Sequence, residues 1–537
     1  MKLSTLTQRN HAHHEELWAR YNALYVGADA FRACVADFLP RNPMEEESNY
    51  SMRCKSAQYT NYVGPIIDFY AAKVMNAPVE AKPVDDAEEP PFYAEWREDV
   101  DGAGTNLVDF FRSRFVAACV SGRGWWVAEM PDAGDVPASN MAEFEARGLG
   151  RATISPIDRS QIIDWQEDER GDLVWAIVHS VDRPRPSPTD VRGLIVETWK
   201  VYDRAIVTTF AVAYTEDRPP RPEDDIPQVA QRPHGFSRVP LLGMGFEGTR
   251  AAHVKVGLRR IALSASEIRG LWPMGRLADI QVAHFRQEAG LEWSIARTCY
   301  AMPVFMMESD PPKMGAGYFI MIKPTERVEW TAPPTAHLAI AAQRVAERRD
   351  EIYRVANQLA QGVDNNAAAI GRSGESKLAD AESTEVILTI FGAFVREALE
   401  KTFDLISEAR AEVDMRPADK PLRWTVSGLD KFDVTDVAAL MAAATQFEAL
   451  AVPSKTARTA IKTRAAIALL PGASETERKT IAEEIEAGIG AEEAARAQGV
   501  PPGGPGAVTS PASGKPAPAR TKAPIERKAL AAKKAAA

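Results

Sequence analysis

The chain has 537 residues, of which 45% are hydrophobic and 26% are charged. These fractions are typical of globular protein and exclude a wholly disordered, collagen-like or fibrous chain. Asp and Glu (74) outnumber Lys and Arg (64), which gives a formal net charge of −10. A surface of that sign does not hold DNA tightly by counterion release, so the sequence argues against a general nucleic-acid binder, although contact through a small region stays open.

The sequence predicts neither a membrane span nor a secretory leader. The longest apolar run, Val386–Val395, is far shorter than the roughly twenty residues that a spanning helix needs. The first residues are too polar for a signal peptide. The cysteines stand far apart and form no C-x-x-C pair, at positions Cys34, Cys54, Cys119 and Cys299. We therefore expect a reducing compartment, with synthesis and assembly in cytoplasm.

The first half of the chain is predicted to begin with helices. Apolar side chains recur at helical spacing within residues 1–80, for example at Leu17, Tyr21 and Leu24. Residues 82–91 are acidic and rich in proline, which predicts a loop. A further helix is predicted over Asn106–Val120, where two closely following glycines end it.

Five short β-branched and aromatic segments then predict strands. They are Trp125–Met130, Ile154–Trp165, Leu173–Ser180, Leu194–Tyr202 and Ile206–Ala213. The turn residues Glu169–Asp172 predict a hairpin between two of them. The Pro-rich and charged stretch Thr215–Pro233 is predicted to be a loop. Residues 1–245 are therefore interpreted as one α+β domain.

The second half is predicted to be mainly helical, which makes the fold class α+β with helix predominating. A long helix is predicted over Ser264–Thr298, with Pro273 at a helix start or a break. Strands are predicted at Met302–Met307 and Tyr318–Ile322. The next helix, Thr335–Ala360, carries a heptad-like apolar seam. Its members, Leu338, Val345, Ile352 and Leu359, favour helix packing either within one chain or between subunits.

A polar segment, Gly362–Gly374, separates that helix from the longest predicted one, residues 376–410, in which Gly392 is a candidate kink. A short strand at Arg423–Val426 and a helical region at 434–497 follow. From Val500 the chain is rich in Pro, Gly, Ala and then Lys, which predicts disorder. The basic tail is interpreted either as a contact for DNA or an acidic partner, or as a solubilising extension.

No motif predicts catalysis, a metal site or a cofactor. Phosphate-loop, H-E-x-x-H, G-x-S-x-G and dinucleotide-binding patterns are missing from the sequence. The weaker candidates have ordinary interpretations that we favour. Gly243–Gly245 is interpreted as a turn rather than a phosphate contact, and His11, His13 and His14 as a solvated helix. Likewise, Glu45–Glu47 is interpreted as a solvated loop and Trp125–Trp126 as core rather than a base-stacking platform.

The order of these elements resembles that of the portal proteins of tailed bacteriophages, and in particular a portal-like family catalogued as a phage domain of unknown function. Six segments carry the likeness, which covers roughly residues 15–410. They are NLVDFFRSRFVAACVSGRGWWVAEMP (106–131), ISPIDRSQIIDWQEDERGDLVWAIVH (154–179), HGFSRVPLLGMGF (234–246), LADIQVAHFRQEAGLEWSI (277–295), MGAGYFIMI (314–322) and SGESKLADAES (373–383).

The resemblance implies an architecture of wing, stem, clip and crown. The implied regions are a wing (1–245), a first stem helix region (246–299), a clip (300–334), a second stem helix (335–360), a tunnel loop (361–374), a long wing helix with the following strand (375–429), a helical crown (430–498) and a disordered tail (499–537). The implied DNA-facing residues of the tunnel loop are Gly362, Val363, Asp364, Asn365, Asn366 and Arg372.

The resemblance also implies a function. Such a protein is a non-enzymatic ring of about twelve subunits at one capsid vertex, through which double-stranded DNA is packaged and ejected. Its implied partners are the terminase, the major capsid protein and head–tail adaptor proteins, with no membrane and no cofactor. Two alternatives stay open: another virion structural or adaptor protein, and a DNA-processing enzyme whose site has no recognised motif.

Overall fold

The computed structural model describes most of the chain outside the last forty residues. The described residues are 1–8, 15–84, 87–131, 143–144, 147–169, 171–185, 194–247, 252–256, 259–298, 302–306, 327–331, 336–357, 374–411, 413–414, 416, 420–430, 432, 445, 447, 454–470 and 475–497. They form helices and strands with helix predominating, so the fold is of the α+β kind that the sequence predicts.

The first 121 residues are largely helical, as predicted. The helices are α1 (Leu3–Leu6), α2 (Glu15–Val26), α3 (Ala28–Ala33), α4 (Val35–Phe38), α5 (Glu47–Ser56), α6 (Val63–Met75), α7 (Pro91–Glu98) and α8 (Leu107–Ser121). Local chemistry sets both ends of α8. The Asn106 side chain accepts a hydrogen bond from the Asp109 amide at its start, and Gly122, at φ +87°, ends it in the left-handed conformation.

Two antiparallel sheets follow. Strands β2 (Arg123–Glu129), β3 (Thr153–Ile157) and β9 (Leu241–Gly245) form one sheet with β2 in the centre. The other sheet has the order β4-β5-β6-β7-β8, with strands β4 (Ile162–Glu167), β5 (Leu173–Asp182), β6 (Ile195–Tyr202), β7 (Ile206–Tyr214) and β8 (Gln228–Pro233). The predicted hairpin at 169–172 joins β4 to β5, and Gly171 adopts φ +74° in its turn.

Three predictions in this half are wrong. Ile154–Trp165 is not one strand, because a short 3₁₀ turn at Arg159–Gln161 divides it between the two sheets. Thr215–Pro233 is not entirely loop, since its end forms the exposed edge strand β8. Because β8 has no buried face, its sequence lacks the alternating apolar pattern that indicates a strand. Residues 82–91 likewise contribute to a strand, β1 (Val79–Pro83), and supply Pro91 as the first residue of α7.

The second half contains the predicted long helices. Strands β10 (Ala252–Val256) and β11 (Arg259–Leu263) lead into α9 (Ala265–Gly270) and α10 (Pro273–Thr298), so Pro273 begins a helix as predicted. Next come β12 (Met302–Met306), β13 (Arg327–Thr331), α11 (Ala336–Asn357), α12 (Gly374–Arg410), β14 (Trp424–Gly428), α13 (Lys455–Leu469) and α14 (Glu475–Ala497). Strand β12 pairs with β13, while the predicted strand at 318–322 lies outside the described residues.

Gly392 allows close packing, and the kink suggested by the sequence stays a prediction. Helix α12 continues through Gly392 as one element. A Cβ atom at this position would lie 2.0 Å from the Leu429 carbonyl oxygen and 2.9 Å from the Phe432 ring. The segment after β14 therefore crosses α12 at a point where only glycine fits.

One large apolar core joins distant parts of the chain. It includes buried residues from Ala23 to Phe432 and takes side chains from α2, α6, α8, α10, α11, α12 and β14. Two smaller clusters lie at the five-stranded sheet, one around Trp125 and one in which Leu3 and Leu6 pack with Trp199. Trp125 and Trp126 are both fully buried, which confirms their interpretation as core. In the part of the chain that is described, no helix combines the length and apolarity that crossing a bilayer requires.

Candidate functional site: a helix pair rooted on the body

Helices α10 and α11, with the β12–β13 hairpin between them in sequence, form what we call the helix pair. The two helices contact each other, and both contribute side chains to the large core, between Met274 and Ala289 on α10 and at Ile352 and Ala356 on α11. We call residues 281–288 and 349–356, which contact the N-terminal helical region, the root of the helix pair. The root fixes how the pair is held on the rest of the protein, so its contacts are described next.

Polar side chains on α10 bind backbone groups of the N-terminal helical region. Gln281, which is fully buried, donates from Nε2 to the Thr60 carbonyl at 2.9 Å and accepts from the Tyr62 amide at 3.3 Å. Arg286 donates from Nε to the Phe38 carbonyl at 2.7 Å. Because each bond joins a rigid helix to a specific backbone group, the set fixes both the rotation and the axial position of α10.

Aromatic contacts complete the α10 side of the root. Phe285 is fully buried, and its ring centroid lies 4.8 Å from that of Phe31 in an edge-to-face arrangement. The Tyr62 ring lies between the two helices, with centroids 5.1 Å from His284 and 5.7 Å from Tyr353. Tyr62 thereby links both members of the helix pair to the start of α6.

Helix α11 enters the core at its C-terminal end. Ile352 and Ala356 are buried, and the Tyr70 hydroxyl of α6 donates to the Ala356 carbonyl at 3.1 Å. This bond satisfies a carbonyl of the last helical turn, which has no partner inside the helix. The end of α11 is therefore held by packing and by a buried hydrogen bond.

The root contains a buried histidine and a half-buried carboxyl group, whose nearest atoms, His284 Nδ1 and Glu288 Oε2, are 3.7 Å apart. Burial, with a smaller effect from the charge on Arg349, lowers the pKa of His284. Burial also raises the pKa of Glu288, against the hydrogen bond that it accepts from the Thr60 hydroxyl at 3.1 Å. Both shifts favour uncharged forms, as expected where water is excluded.

The outer part of α11 is charged and solvated. Arg344 pairs with Glu347 at 2.9 Å and Arg348 with Glu351 at 2.5 Å, in each case three residues apart on the helix. Exposed pairs of this kind contribute little to stability. Ile340 is an exception on this surface, since 64% of it is exposed. A single exposed apolar side chain is ordinary on a protein surface.

Part of the predicted seam lies within the described residues. Ile352 of the seam is buried within its own chain, and Leu338 and Val345 are half-buried. At Ile352 the seam therefore makes a contact within one chain, while contact between subunits at Leu338 and Val345 stays a prediction. Leu359 and the tunnel-loop residues Gly362, Val363, Asp364, Asn365, Asn366 and Arg372 lie outside the described residues.

Two of the weaker candidates need correction. Gly243–Gly245 is not a turn, because it lies in β9, where a Cβ on Gly245 would come within 2.3 Å of the Gly122 carbonyl oxygen. Glu46 and Glu47 are exposed, as predicted, although Glu47 begins α5, whereas the Glu45 side chain is largely covered by its ion pair with Arg53 at 2.6 Å. That pair lowers the pKa of Glu45. His11, His13, His14 and the basic tail lie outside the described residues.

The root of the helix pair was not predicted from the sequence. Gln281, His284 and Glu288 recur at spacings of three and four, so they form a polar stripe on one side of α10. A polar stripe is ordinarily assigned to solvent, and only the partners at Thr60 and Tyr62 show that this one is buried. Within the described residues, no group of three or more His, Cys, Asp and Glu is placed to hold a metal ion.

Comparison with known proteins gives one family match and several distant structures. Residues 273–408 match a family described as "Domain of unknown function (DUF4055)", which spans the helix pair and nearly all of α12. No curated protein matches the chain.

The similar solved structures come from gene transfer agent (GTA) particles. A chain of the "Neck of empty GTA particle computed with C6 symmetry" and one of the "Virion of native gene transfer agent (GTA) particle" are each 12% identical, with a TM-score of 0.33, and the match covers 81% of this chain and 99% of theirs. A chain of the "Neck of native GTA particle computed with C12 symmetry" is 13% identical, with a TM-score of 0.29, and covers 80% and 97%. Likenesses at these scores carry no argument about fold or function.

Proposed function

We propose that the chain is the subunit of a phage-type portal: a closed ring at one capsid vertex, through which double-stranded DNA enters and leaves. The observation that carries the proposal is the helix pair. Two helices are separated in sequence by a β-hairpin, held on a large body by a defined root, and followed by the long core helix α12. The family match to residues 273–408 spans the same consecutive elements.

The root explains how such a subunit would determine the bore of a channel. In a ring built by rotation, each helix pair must have the same tilt, because a small error repeated at every subunit prevents closure. The bonds of Gln281 and Arg286 to backbone carbonyls hold α10 at one rotation and one height. A stem fixed in this way would define the bore of the channel, while the β12–β13 hairpin would face the terminase and later the adaptor proteins.

Charge supports a conduit rather than a DNA-binding surface. A bore lined with cations would hold phosphates and slow translocation, whereas an acidic or neutral bore would not. The net charge of −10 suits the second case. In the tunnel loop, Asp364 and Arg372 would give weak contact that does not depend on base sequence. We propose that the chain itself catalyses nothing and that a separate terminase supplies the ATP-driven force.

Native mass spectrometry of the full-length protein, combined with negative-stain imaging, tests the proposal. We expect closed rings with an axial channel, at about twelve times the chain mass of 58.7 kDa. Open filaments without a channel would contradict the proposal and favour a different structural role in the virion. ATPase and nuclease assays on the same sample distinguish the enzymatic alternative, and we expect neither activity.

A further inference from the structure

Strands β10 and β11 form a hairpin whose two faces differ in chemistry. Their antiparallel register places Lys255 opposite Arg260 and His253 opposite Ala262. Because residues directly opposite each other share a face of a sheet, these four positions form one face, which we call the basic face of the hairpin. The positions of the other face, five of them apolar, are Ala252, Val254, Val256, Arg259, Ile261 and Leu263.

The hairpin lies against helices of the body. Strand β10 contacts α12, and β11 contacts α9. A two-stranded hairpin is at best marginally stable in water unless it packs against a helix or further strands. Such packing favours an apolar face, because burying the cations of the basic face would cost their hydration. The register therefore favours the apolar face as the one that meets these helices.

The segment around the hairpin is basic in an acidic chain. Residues 248–266 contain no Asp or Glu and four cations, which are Arg250, Lys255, Arg259 and Arg260. The whole chain, by contrast, has a formal net charge of −10. An ordinary solvated surface mixes both signs of charge, whereas cations gathered on one element without acids are the pattern of a contact with a polyanion.

We infer that the basic face of the hairpin binds the phosphate backbone of double-stranded DNA. The choice of DNA as the ligand rests on the proposed function, which brings DNA past every subunit. Duplex DNA carries one negative charge per about 1.7 Å of its axis, so a pair of cations meets phosphates wherever it touches the duplex. Lys and Arg that bind phosphates position the duplex without reading its bases.

The contact is compatible with an acidic conduit because it is small. Lys255 and Arg260 are two cations on one hairpin, and two phosphate contacts hold DNA only weakly at physiological salt. Helix α12, which β10 contacts, begins directly after the proposed tunnel loop. The hairpin would therefore add a second contact with DNA, beside that of the loop, that does not depend on base sequence.

Neutralising the basic face tests the inference on the full-length protein. The face variant carries Lys255→Gln and Arg260→Gln. The matched control carries Arg183→Gln and Arg204→Gln, which removes the same charge from exposed side chains at the five-stranded sheet. Fluorescence anisotropy with a labelled duplex of about 30 base pairs measures affinity as NaCl is raised from about 0.05 to 0.2 M.

We expect the face variant to bind the duplex about tenfold or more weakly than the control at the lowest salt. The slope of log affinity against log salt should become shallower by about two for each hairpin that contacts the duplex. The control should bind as the wild type does, and duplexes of unrelated sequence should give the same affinity. Circular dichroism and native mass spectrometry check that fold and assembly are kept.

A photo-crosslinker on either face tests which face meets the DNA. Ala262 belongs to the basic face and Ala252 to the apolar face, so p-benzoylphenylalanine in place of each is a matched pair. After ultraviolet irradiation with the duplex, we expect at least about fivefold more crosslinked DNA from position 262 than from position 252. Equal yields from the two positions would overturn the assignment of the basic face.

The outcomes separate the inference from the portal proposal. If the wild type forms rings and the face variant binds the duplex as tightly as the control, the DNA contact is overturned and the portal proposal stands. If the face variant loses affinity for poly-L-glutamate but not for DNA, the basic face binds an acidic protein and the DNA contact is again overturned. If the wild type forms no closed ring, yet DNA binding depends on Lys255 and Arg260, the contact stands and the portal proposal falls.

Discussion

Arg159 is a buried cation held mainly by aromatic faces. Its guanidinium carbon lies 4.0 Å from the Trp18 ring centroid and 4.5 Å from that of Trp165, and Nη2 pairs with Glu247 at 3.2 Å. Its Nε and Nη1 atoms have no hydrogen-bond partner in the described structure. Burial lowers the pKa of Arg159 to about 10. A planar, weakly hydrated guanidinium tolerates this environment better than an ammonium group does.

We therefore expect Arg159→Lys to destabilise the protein although it keeps the charge. Lysine cannot stack flat between two indoles, so the free energy of unfolding should fall by about 1–3 kcal/mol. Arg204→Lys is the matched control, because Arg204 is 61% exposed and pairs with Asp168 in solvent. Urea unfolding followed by tryptophan fluorescence measures both. Equal effects of the two substitutions would show that the aromatic stacking contributes nothing.

Alanine substitutions at two helical glycines allow a second comparison at the scale of single residues. Because a Cβ at Gly392 would overlap the Leu429 carbonyl oxygen, Gly392→Ala should lower the melting temperature by several degrees. Gly290 in α10 has no heavy atom within 4 Å of its Cβ position, so Gly290→Ala should stabilise the protein by about 0.5–1 kcal/mol. Differential scanning calorimetry distinguishes the signs. A stabilising Gly392→Ala would mean that α12 and the segment after β14 are not in close contact.

At the scale of elements, the root of the helix pair predicts a dependence of stability on pH. Because the folded state lowers the pKa of His284, the folded protein binds this proton more weakly than the unfolded chain does. The contribution of His284 to the free energy of unfolding is therefore fully present above its ordinary pKa of 6.5. It is lost as pH falls through 6.5 towards the lowered pKa. Glu288 has the opposite shift, so its contribution is lost as pH rises through 4.5 towards its raised pKa.

Melting temperatures between pH 5 and 8 test this dependence. We expect the wild type to lose stability below about pH 6.5 and His284→Gln to lose less of it, because Gln keeps a polar side chain but does not titrate. Glu288→Gln should gain stability at neutral pH, where the wild-type carboxylate is charged and half-buried. Parallel curves for the wild type and His284→Gln would show that this histidine does not control the root.

The apolar residues of α11 separate packing within the chain from contact between subunits. Ile352 is fully buried, so Ile352→Ala should cost about 2–4 kcal/mol of unfolding free energy. Ile340 is 64% exposed, so Ile340→Ala should change the unfolding free energy of a subunit by less than about 0.5 kcal/mol. If Ile340 lies in a ring contact, its substitution will weaken assembly alone. Unfolding curves measure the effect on subunit stability, and native mass spectrometry on the same samples measures the effect on assembly.

The elements that the sequence predicts well are those with a local signal. Helix α8 was placed to within one residue, because an Asn cap and glycines mark its ends, and Pro273 marks the start of α10. Strand β8 was missed because an exposed edge strand has no alternating apolar face. The partner of β12, Arg327–Thr331, was not predicted as a strand. Strand pairing depends on register between segments, which periodicity within one segment does not determine.

The root could not be predicted for a related reason. Its contacts join residues far apart in sequence, such as Gln281 with Thr60 and Tyr70 with Ala356. The polar residues of α10 are individually unremarkable, and their burial follows from which loop happens to cover them. The apolar seam of α11 shows the same limit of prediction from sequence. Its heptad period was recognisable, but the period could not determine whether Ile352 packs within its own chain or against another subunit.

At the scale of the whole molecule, the portal proposal predicts a packaging defect that does not depend on ring formation. Replacing Asn365 and Asn366 with Trp would place bulky side chains on the proposed tunnel loop. We expect rings of normal mass and a loss of DNA packaging or retention in particles, measured by nuclease-protected DNA. Replacing the exposed Arg204, between β6 and β7, with Trp is a control of similar size outside the helix pair. Normal packaging by the loop variant would contradict the tunnel-loop assignment.

The large core also has a consequence for biosynthesis. Trp96 and Phe403 have ring centroids 5.3 Å apart, yet the ribosome makes them about 300 residues, or roughly 15–60 s, apart at 5–20 residues per second. During that interval the helices of the first half expose apolar faces that side chains of α10, α11, α12 and β14 later cover. We therefore expect a product truncated before α12 to expose this apolar surface and to be degraded before it could enter and poison an assembling ring.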